Sequence, residues 1–395
     1  MDASRSSVTT NPIISRASSK ISPAAEVIAN NVDLLAQILL LLPAKSLIRF
    51  KSVSKQWESH ISDFRFAAKH SRRNPIPPAS GLFLFCKFDK HEHTESVSLQ
   101  GYPNRPTLDF LDGAGFVLLK AQIAHSCNGL LLCTYRYLVR YRIYSSDHYL
   151  VCNPTTKTHA LIPDPPAFSS LGFPIALRAF LAFDPSKSPR YKVVFMSLDP
   201  DSEKLYSQID VYCSKRASWK QIRAPGLRLG HVALCGDVLH WLSDEDVLLR
   251  FDVDSEMMIE TENPLEVISV DKIKYFGECG GRLILIRDHP WSPEMFRIFE
   301  MDKDYRGWVM KFWVKLRPLL SKERNISDCS VQCVVKGDKE KDFELVLAFA
   351  GKSILSYNLE CKTWNVLYDA VPGESISYRN SYVAAYPYIE SLSPL

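Results

Sequence analysis

Histidine and cysteine side chains are the residues of this sequence whose spacing could hold a metal ion. His91 and His93 are two residues apart, which would place both imidazoles on one side of an extended strand. The segment around them, KFDKHEHTES, is polar and favours a solvated loop. No cysteine pair has C-x-x-C spacing, and Cys329 and Cys333 lie in a strand-like apolar segment. The sequence therefore predicts no metal site and no cofactor.

The sequence supports serine-based catalysis and phosphate binding no better than it supports a metal site. The sequence contains no G-x-S-x-G nucleophile elbow, phosphate-binding loop, H-E-x-x-H pair or dinucleotide fingerprint. The run Ser52-Val53-Ser54-Lys55 fits S-x-x-K, but it lies in an amphipathic helical pattern and no supporting motif follows it. We therefore predict no catalytic residue and a chain that is not an enzyme.

Composition indicates in which compartment the protein is found and which kinds of partner it is expected to lack. Most of the ten cysteines lie in apolar runs, which predicts reduced core thiols and a cytoplasmic or nuclear protein. A formal charge of +4 over 395 residues does not favour a nucleic-acid partner. The most apolar stretch, residues 34–42, is shorter than the roughly 20 residues that a membrane span requires, so no membrane partner is predicted. The Ser-rich residues 1–26 predict a disordered tail, with a transit peptide as the alternative.

The elements that would position a binding site begin with a helical module over residues 27–71. Its first helix is bounded by Asn31, whose side chain can cap the first amides, and by Pro43, which lacks the amide needed to continue. The apolar positions between them fall at i, i+1, i+4, i+5 and i+8 on one helix face. They are Leu34, Leu35, Ile38, Leu39 and Leu42.

Two further short helices are predicted, which makes three in all. Residues 47–61 have an apolar period of three and four, and residues 64–70 follow a cap at Ser62 or Asp63. A module of about 40 residues without disulfide or metal rarely has enough core to be stable alone. Leu40 and Leu41 widen the apolar surface further, so the pattern favours a protein partner. The alternative is that these helices pack on the rest of the chain.

This segment resembles an F-box, the helical module that binds the Skp-type adaptor of a cullin-based (SCF) ubiquitin ligase. The matching elements are Asp33-Leu34-Leu35-x-x-Ile38-Leu39, Leu42-Pro43-Ala44-Lys45-Ser46-Leu47, Arg49-Phe50-Lys51-Ser52-Val53-Ser54-Lys55-x-Trp57, Ile61-Ser62-Asp63 and Phe66. The chain departs from the family pattern at Asn30-Asn31, where Leu-Pro commonly opens the motif, and at Ser54, where Cys is frequent.

The resemblance implies which residues contact the adaptor or hold the helices that do. They are Leu34, Leu35, Ile38, Leu39, Leu42, Pro43, Leu47, Val53 and Trp57. For Trp57, internal packing is an equal alternative to direct contact.

The chain changes character after a proline-marked linker at residues 72–80. Residues 81–392 consist of short strands rich in Val, Ile, Leu, Phe and Tyr, separated by Asp, Asn, Gly and Pro turns. One unit recurs: a Gly-led apolar strand, a strand ending near Asn or an acidic residue, a turn, and a strand carrying Trp. Repeated four-stranded sheets predict a β-propeller-like all-β domain, with a pair of β-sandwiches as the alternative.

The β-rich domain also resembles the F-box-associated interaction domain that follows the F-box in a large plant family. The matching segments are Ser126-Cys127-Asn128-Gly129-Leu130, Asn153-Pro154-Thr155-Thr156-Lys157, Phe183-Asp184-Pro185 and Tyr388-Ile389-Glu390-Ser391-Leu392.

The two resemblances imply a non-catalytic substrate receptor that joins a Skp-type adaptor and its cullin scaffold to a target protein awaiting ubiquitination. The alternative is an F-box-linked propeller that binds a small molecule or a glycan. Trp291, in the loop between Asp288 and Pro293, is the one candidate for a target-facing residue, because aromatic anchors are enriched at interfaces. Packing of Trp291 against its own sheet is the alternative at that position.

Overall fold

A computed structural model shows short helices followed by a ring of antiparallel sheets. The chain divides into two compact units, Met1–Leu42 and Pro43–Leu395. The predicted tail over residues 1–26 lies outside the described residues. The structure describes residues 31–395 except for 74–77, 89–90, 100–104, 112–121, 136–137, 140–141, 144–147, 167–176, 199–206, 225–230, 243–247, 261–271, 290, 321–325, 338–341, 350–352 and 370–381.

The first unit contains helix α1 (Val32–Leu39). Asn31 has an extended backbone, and its side-chain oxygen accepts a hydrogen bond from the Leu34 amide at 3.0 Å. The predicted cap is therefore confirmed. The helix ends in a turn in which the Leu42 amide donates to the Leu39 carbonyl at 3.1 Å.

The second unit opens with three helices, α2 (Ala44–Phe50), α3 (Lys55–Ser62) and α4 (Phe64–Arg73). The described residues therefore contain four helices at this end of the chain, and the prediction of three was wrong. The second predicted helix is divided because Ser54 is extended and its hydroxyl accepts from the Trp57 amide at 3.2 Å, which starts a new helix. Asp63 caps α4 as predicted, accepting from the Arg65 amide at 2.8 Å.

Five four-stranded sheets follow in chain order and are named blades 1 to 5. A short hairpin, β5 (Leu138–Val139) with β6 (Arg142–Ile143), interrupts blade 1. Blade 1 contains β3 (Gln122–Cys127), β4 (Leu130–Tyr135), β7 (His148–Asn153) and β8 (Thr158–Ile162), and blade 2 contains β9 (Leu177–Ala182), β10 (Lys192–Leu198), β11 (Ser207–Cys213) and β12 (Ser218–Ala224). Blade 3 contains β13 (His231–Cys235), β14 (Val238–Leu242), β15 (Leu248–Asp252) and β16 (Met257–Glu260), and blade 4 contains β17 (Ile273–Cys279), β18 (Arg282–His289), β19 (Ser292–Met301) and β20 (Trp308–Lys315). Blade 5 contains β21 (Cys329–Lys336), β22 (Phe343–Phe349), β23 (Ser353–Asn358) and β24 (Trp364–Asp369).

A sixth blade closes the ring by joining the two ends of the β-rich domain. Strand β1 (Gly81–Phe88) pairs on one side with β2 (His91–Ser98) and on the other with β25 (Tyr382–Tyr388), with Gly81 opposite Tyr388. The innermost strands β3, β9, β13, β17, β21 and β25 face one another around a central channel. The β-propeller prediction is confirmed, and the β-sandwich alternative is wrong. The histidine-containing segment expected as a loop forms the outer strand β2.

The repeat seen in the sequence is a turn that joins the third and fourth strands of a blade. Asn153, Asp252 and Asn358 end their strands, and each side-chain oxygen accepts hydrogen bonds from two backbone amides of the following turn. This is why Asn or Asp recurs at that position. Five non-glycine residues adopt positive φ, between 49° and 58°, shortly before the fourth strand. They are Lys157, Ala217, Glu256, Tyr305 and Lys362.

Separate apolar clusters fill the spaces between blades. The largest fully buried side chains include Trp241 and Phe251 of blade 3 and Phe296 of blade 4. The nine cysteines whose side chains the structure describes are all free thiols. The sulfur atoms of Cys133 and Cys152 are 4.0 Å apart in blade 1, which is not a disulfide distance.

Candidate protein-binding sites

Helix α1 carries two apolar stripes that differ in exposure. Leu35 and Leu39 are 2% and 1% exposed, so they belong to the core. Leu34 and Ile38 are 37% and 38% exposed, and Leu41, one turn further along, is 63% exposed. The spacing i, i+4 places Leu34 and Ile38 on one face of α1, and Leu41 lies in the turn that follows, where its amide donates to the Ile38 carbonyl at 3.1 Å. Leu34 and Ile38 are therefore the predicted adaptor-binding residues of α1 that are accessible to another protein, and Leu41 extends this exposed stripe.

The remaining predicted adaptor-binding residues also divide by exposure. Leu47 is fully buried in α2, whereas Pro43 and Val53 are exposed, Val53 by 57%. The Trp57 ring packs edge-on against Phe50, with centroids 5.8 Å apart and planes at 79°. The Trp57 ring therefore contributes internal packing between α2 and α3. Leu42 is half-buried.

Exposure also identifies apolar side chains that the sequence did not single out as contact residues. Val32 is 47% exposed in α1, and Phe64 is 52% exposed at the start of α4. Leu41 belongs with them, because the sequence marked it only as excess apolar surface. The residue types show that these side chains are apolar, but periodicity alone does not show which apolar side chains are exposed.

The helices of the second unit are tied to the propeller by polar contacts. The Lys45 amide of α2 donates to Glu390 Oε2 at 3.3 Å, and its ammonium lies 3.9 Å from Glu390 Oε1. At the end of α4, Arg72 Nε donates to the Ser186 carbonyl at 2.7 Å. Glu390 follows β25 and Ser186 follows β9, so α2 and α4 attach where the innermost strands end. We call this side of the propeller the helix face.

The segment that carries Glu390 is held by a hydrogen-bonded clasp around Asn153. The fully buried Asn153 amide donates to the carbonyls of Ser391 and Ser393 at 3.0 and 2.8 Å. The Thr155 hydroxyl accepts from the Ser391 amide at 3.1 Å. Gly129 has φ +88°, and a Cβ there would meet the Ser391 side chain.

The Asn128 amide completes the same region by donating to the Phe183 carbonyl at 2.6 Å. The sequence segments that carried the family resemblance in the β-rich domain therefore meet in one place. Their shared role is to fasten the closing strand and the segment after it to blades 1 and 2. These contacts explain in structural terms why each of those short motifs occurs in the sequence.

Strand direction places Trp291 on the opposite side of the propeller, which we call the distal face. Strand β17 runs towards the helix face, so the antiparallel β18 returns and ends at His289 on the distal face. His289 pairs with Ser292 across the hairpin, and Trp291 lies in the turn between them. Trp291 is 86% exposed. The alternative in which Trp291 packs against its own blade is therefore wrong.

The central channel encloses a cavity of about 430 Å³ lined by all six innermost strands. Burial lowers the pKa of His125 to about 4 and raises that of Cys127 to about 12. Desolvation by the surrounding protein raises the pKa of Glu278, and its carboxylate accepts from the Gly281 amide at 2.6 Å. Asp184 lies at the same end, but Ser186 and Lys187 occupy its oxygens.

Metal sites and membrane-spanning helices were also considered for the part of the chain that the structure describes. Within it, no group of three or more His, Cys, Asp and Glu side chains could hold a metal ion. None of its helices is long and apolar enough to cross a membrane.

The arrangement defines a class of protein: a β-propeller that is preceded in the chain by a helical module. Residues 79–368 match the family described as the F-box associated beta propeller domain, and residues 31–69 match the F-box domain. The chain therefore belongs to the F-box-associated β-propeller family and carries an F-box ahead of the propeller.

Two similar proteins have the F-box in their names. F-box protein At5g07610 of Arabidopsis thaliana is 29% identical over 387 residues, covering 88% of this chain and 87% of that protein. F-box only protein 8 of the same plant is 29% identical over 238 residues, covering 57% of this chain and 76% of that protein. Among solved structures, the β-propeller domain of the Trilobed protease from Pyrococcus furiosus is 12% identical with a TM-score of 0.35, covering 64% of this chain and 86% of that one.

Proposed function

We propose that this chain is a substrate-recognition subunit of an SCF-type ubiquitin ligase. Its F-box binds a Skp-type adaptor, which links it to a cullin scaffold, and its propeller recruits a target protein for ubiquitination. The observation that carries the proposal is the succession of an F-box match and an F-box-associated propeller match in one chain. The reduced thiols agree with a cytoplasmic or nuclear location.

The exposed stripe Leu34, Ile38 and Leu41 supports the adaptor half of this proposal. Three exposed apolar side chains are costly to leave in water, and burying each contributes about 1.5–3 kcal/mol at full burial. Their present exposure means that part of this free energy is still to be gained on association. The buried residues Leu35, Leu39 and Leu47 support the helices that present the contact surface.

The chain would act on rate through position rather than bond chemistry. Holding a target beside activated ubiquitin raises the effective concentration of the target's lysines near the reacting thioester. No residue of this chain need transfer a proton or form a covalent intermediate. We therefore propose a non-catalytic role.

Proximity labelling with the proteasome inhibited tests the target-recruiting half. The intact chain is compared with an Ile38→Arg, Leu41→Arg variant that keeps the propeller unchanged. We expect both chains to label the same target proteins, and those targets to carry ubiquitin only with the intact chain. Equal ubiquitination of the labelled proteins with both chains would overturn the proposal.

The central channel favours a second candidate function, binding of a small molecule or glycan. Its volume of about 430 Å³ lies in the range of ligand pockets, which is about 300–1,000 Å³. Aromatic side chains such as Phe180 and Tyr275 share its lining with Glu278. A thermal-shift screen with sugars and metabolites tests this function. A ligand whose stabilisation is lost in Glu278→Gln would support it, whereas a panel that leaves the melting temperature unchanged would count against it.

A further inference from the structure

We propose that the target-binding surface is the distal end of blade 4, and that it takes an acidic segment of the target that carries a large apolar side chain. The surface consists of the aromatic side chains of His289, Trp291 and Trp313 together with the cations around them. This inference rests on the proposed function, because it names the surface and the kind of partner for the same recruiting role.

The aromatic residues lie at the same end of blade 4: the His289 and Trp313 rings pack together, and Trp291 lies in the adjoining hairpin turn. The Trp291 amide lies 3.3 Å from His289 Nδ1, and the His289 ring centroid lies 5.7 Å from that of Trp313. Trp291 is 86% exposed and Trp313 is 49% exposed, although tryptophan is usually largely buried. Rigid aromatic side chains are the residues that contribute most to binding at protein interfaces. The group therefore offers an apolar anchor site for a side chain of the partner.

Charge around the aromatic group selects an acidic partner. Of the acidic residues in the hairpin, Asp288 is buried and pairs with Lys274 at 3.5 Å. Lys272, Lys315 and Arg317 are exposed. They lie close by, because the Lys272 amide bonds to Asp288 at 2.7 Å, and the Leu316 amide bonds to the Glu294 carbonyl at 2.8 Å. These three exposed cations give this end of blade 4 a positive surface.

The strand directions place this surface on the side of the propeller opposite α2 and α4. The β18–β19 hairpin lies on the distal face, whereas the Lys45–Glu390 and Arg72–Ser186 contacts lie on the helix face. A target on the distal face therefore does not compete with α2 and α4 for the same part of the propeller. This placement distinguishes blade 4 from the apolar side chains near the helix face, such as Trp364, which is 40% exposed at the start of β24.

A peptide array tests the proposal with the purified full-length chain. The array holds twelve-residue peptides that vary acidic, neutral and basic content independently of aromatic, aliphatic and polar content. We expect retention on peptides that combine acidic residues with an aromatic or large aliphatic residue, weakening as salt screens the charges. Trp291→Ser should weaken this binding about tenfold or more, and Lys315→Glu should remove the preference for acidic peptides. The matched controls, Trp364→Ser and Lys303→Glu, should bind like the unaltered chain.

Three outcomes would overturn the proposal: retention without a preference for acidic peptides, no retention on any class, or equal losses in Trp291→Ser and Trp364→Ser. Both tryptophans are exposed, so circular dichroism should show an unchanged fold in each variant. Proximity labelling separates failure of this surface from failure of the proposed function. Targets that remain ubiquitinated with Trp291→Ser would contradict only the surface, whereas an intact chain that directs no ubiquitination would contradict the function itself.

Discussion

Asn153 shows at the scale of single residues how a short motif acquires a structural role. Its amide group holds the segment after the closing strand, while its side-chain oxygen shapes the turn that begins at Thr155. The sequence marked Asn153-Pro154-Thr155 as part of a family resemblance, but the partners lie more than 230 residues away in the chain. Only the closed ring brings Asn153 next to Ser391.

Asn153→Ala should lower the free energy of unfolding by about 2–4 kcal/mol, because it leaves two buried carbonyls without a donor. Urea denaturation measures the loss. The matched control is Asn358→Ala, which removes the same kind of turn in blade 5 without touching the segment after β25. Limited proteolysis should release the chain end in Asn153→Ala only. Equal stability losses and equal cleavage in the two variants would contradict the clasp.

Buried histidines make stability depend on pH in a predictable direction. Burial, aided by Arg250, lowers the pKa of His240 to about 4, while an unfolded histidine titrates near 6.5. The unfolded chain therefore binds the proton more tightly, and stability falls as pH decreases from about 6.5 towards 4. His240 should account for a loss of about 2 kcal/mol between pH 7 and pH 5. His125 acts in the same direction.

Urea denaturation at the two pH values measures this dependence. His240→Gln should lose about 2 kcal/mol less than the unaltered chain on going from pH 7 to pH 5, because the glutamine does not titrate. His289→Gln is the control, because it changes an imidazole outside the buried core. If His240→Gln kept the full pH dependence, burial of a neutral His240 would not be its source.

At the scale of elements, helix caps explain both departures from the usual F-box pattern. Asn31, where the motif commonly has a different opening, caps α1, and Ser54, where Cys is frequent, caps α3. The substitutions change which group starts each helix but keep the helices themselves. The cap at Ser54 also explains why the prediction of a single helix over residues 47–61 was wrong. The apolar period continues through the break, and only the hydroxyl and the extended backbone mark it.

Ser54→Ala should cost about 1 kcal/mol of stability and expose the first turn of α3. Hydrogen exchange at the Trp57 amide should become faster, because that amide loses its hydroxyl acceptor. The control is Ser52→Ala, whose hydroxyl only donates to the Arg49 carbonyl on an exposed surface. Equal exchange at Trp57 in the two variants would rule out a capping role for Ser54.

Most of the strands and the blade repeat were predictable at this scale, because alternation, glycine turns and Asn or Asp at strand ends are local signals. The exposure of the two stripes of α1 was not. Leu34, Leu35, Ile38 and Leu39 fit the same helical period, and the pattern does not say which of them are buried. The exposure of Trp291 was open for the same reason, since a Pro-bounded loop accommodates either orientation.

At the scale of the whole molecule, closure of the ring determines the number of blades. The sixth blade combines β1 with β25, whose partners Gly81 and Tyr388 stand about 300 residues apart in the sequence. No local sequence repeat predicts a blade of this kind. The sequence therefore predicted a propeller-like domain but not the number of its blades. Closure also pairs both ends of the β-rich domain, which brings Glu390 to the helix that contains Lys45. The propeller thereby positions α2 and α4 on the face opposite the distal face.

The exposed stripe of α1 determines which substitution reports on adaptor binding. Leu39 is 1% exposed, so Leu39→Arg would bury a charge and disrupt the helix. Ile38 is 38% exposed, and Ile38→Arg places the same charge on the accessible surface. Gln37→Arg introduces an identical charge at the neighbouring exposed position, so it serves as the matched control.

The most direct test of the central claim is the dissociation constant of the full-length chain for a purified Skp-type adaptor, measured by titration calorimetry for the unaltered chain and these two variants. We expect tight binding by the unaltered chain and by Gln37→Arg. Ile38→Arg should raise the dissociation constant roughly thirtyfold or more, with an unchanged melting temperature. Binding by Ile38→Arg as tight as that of the unaltered chain, or no binding by the unaltered chain, would contradict the account.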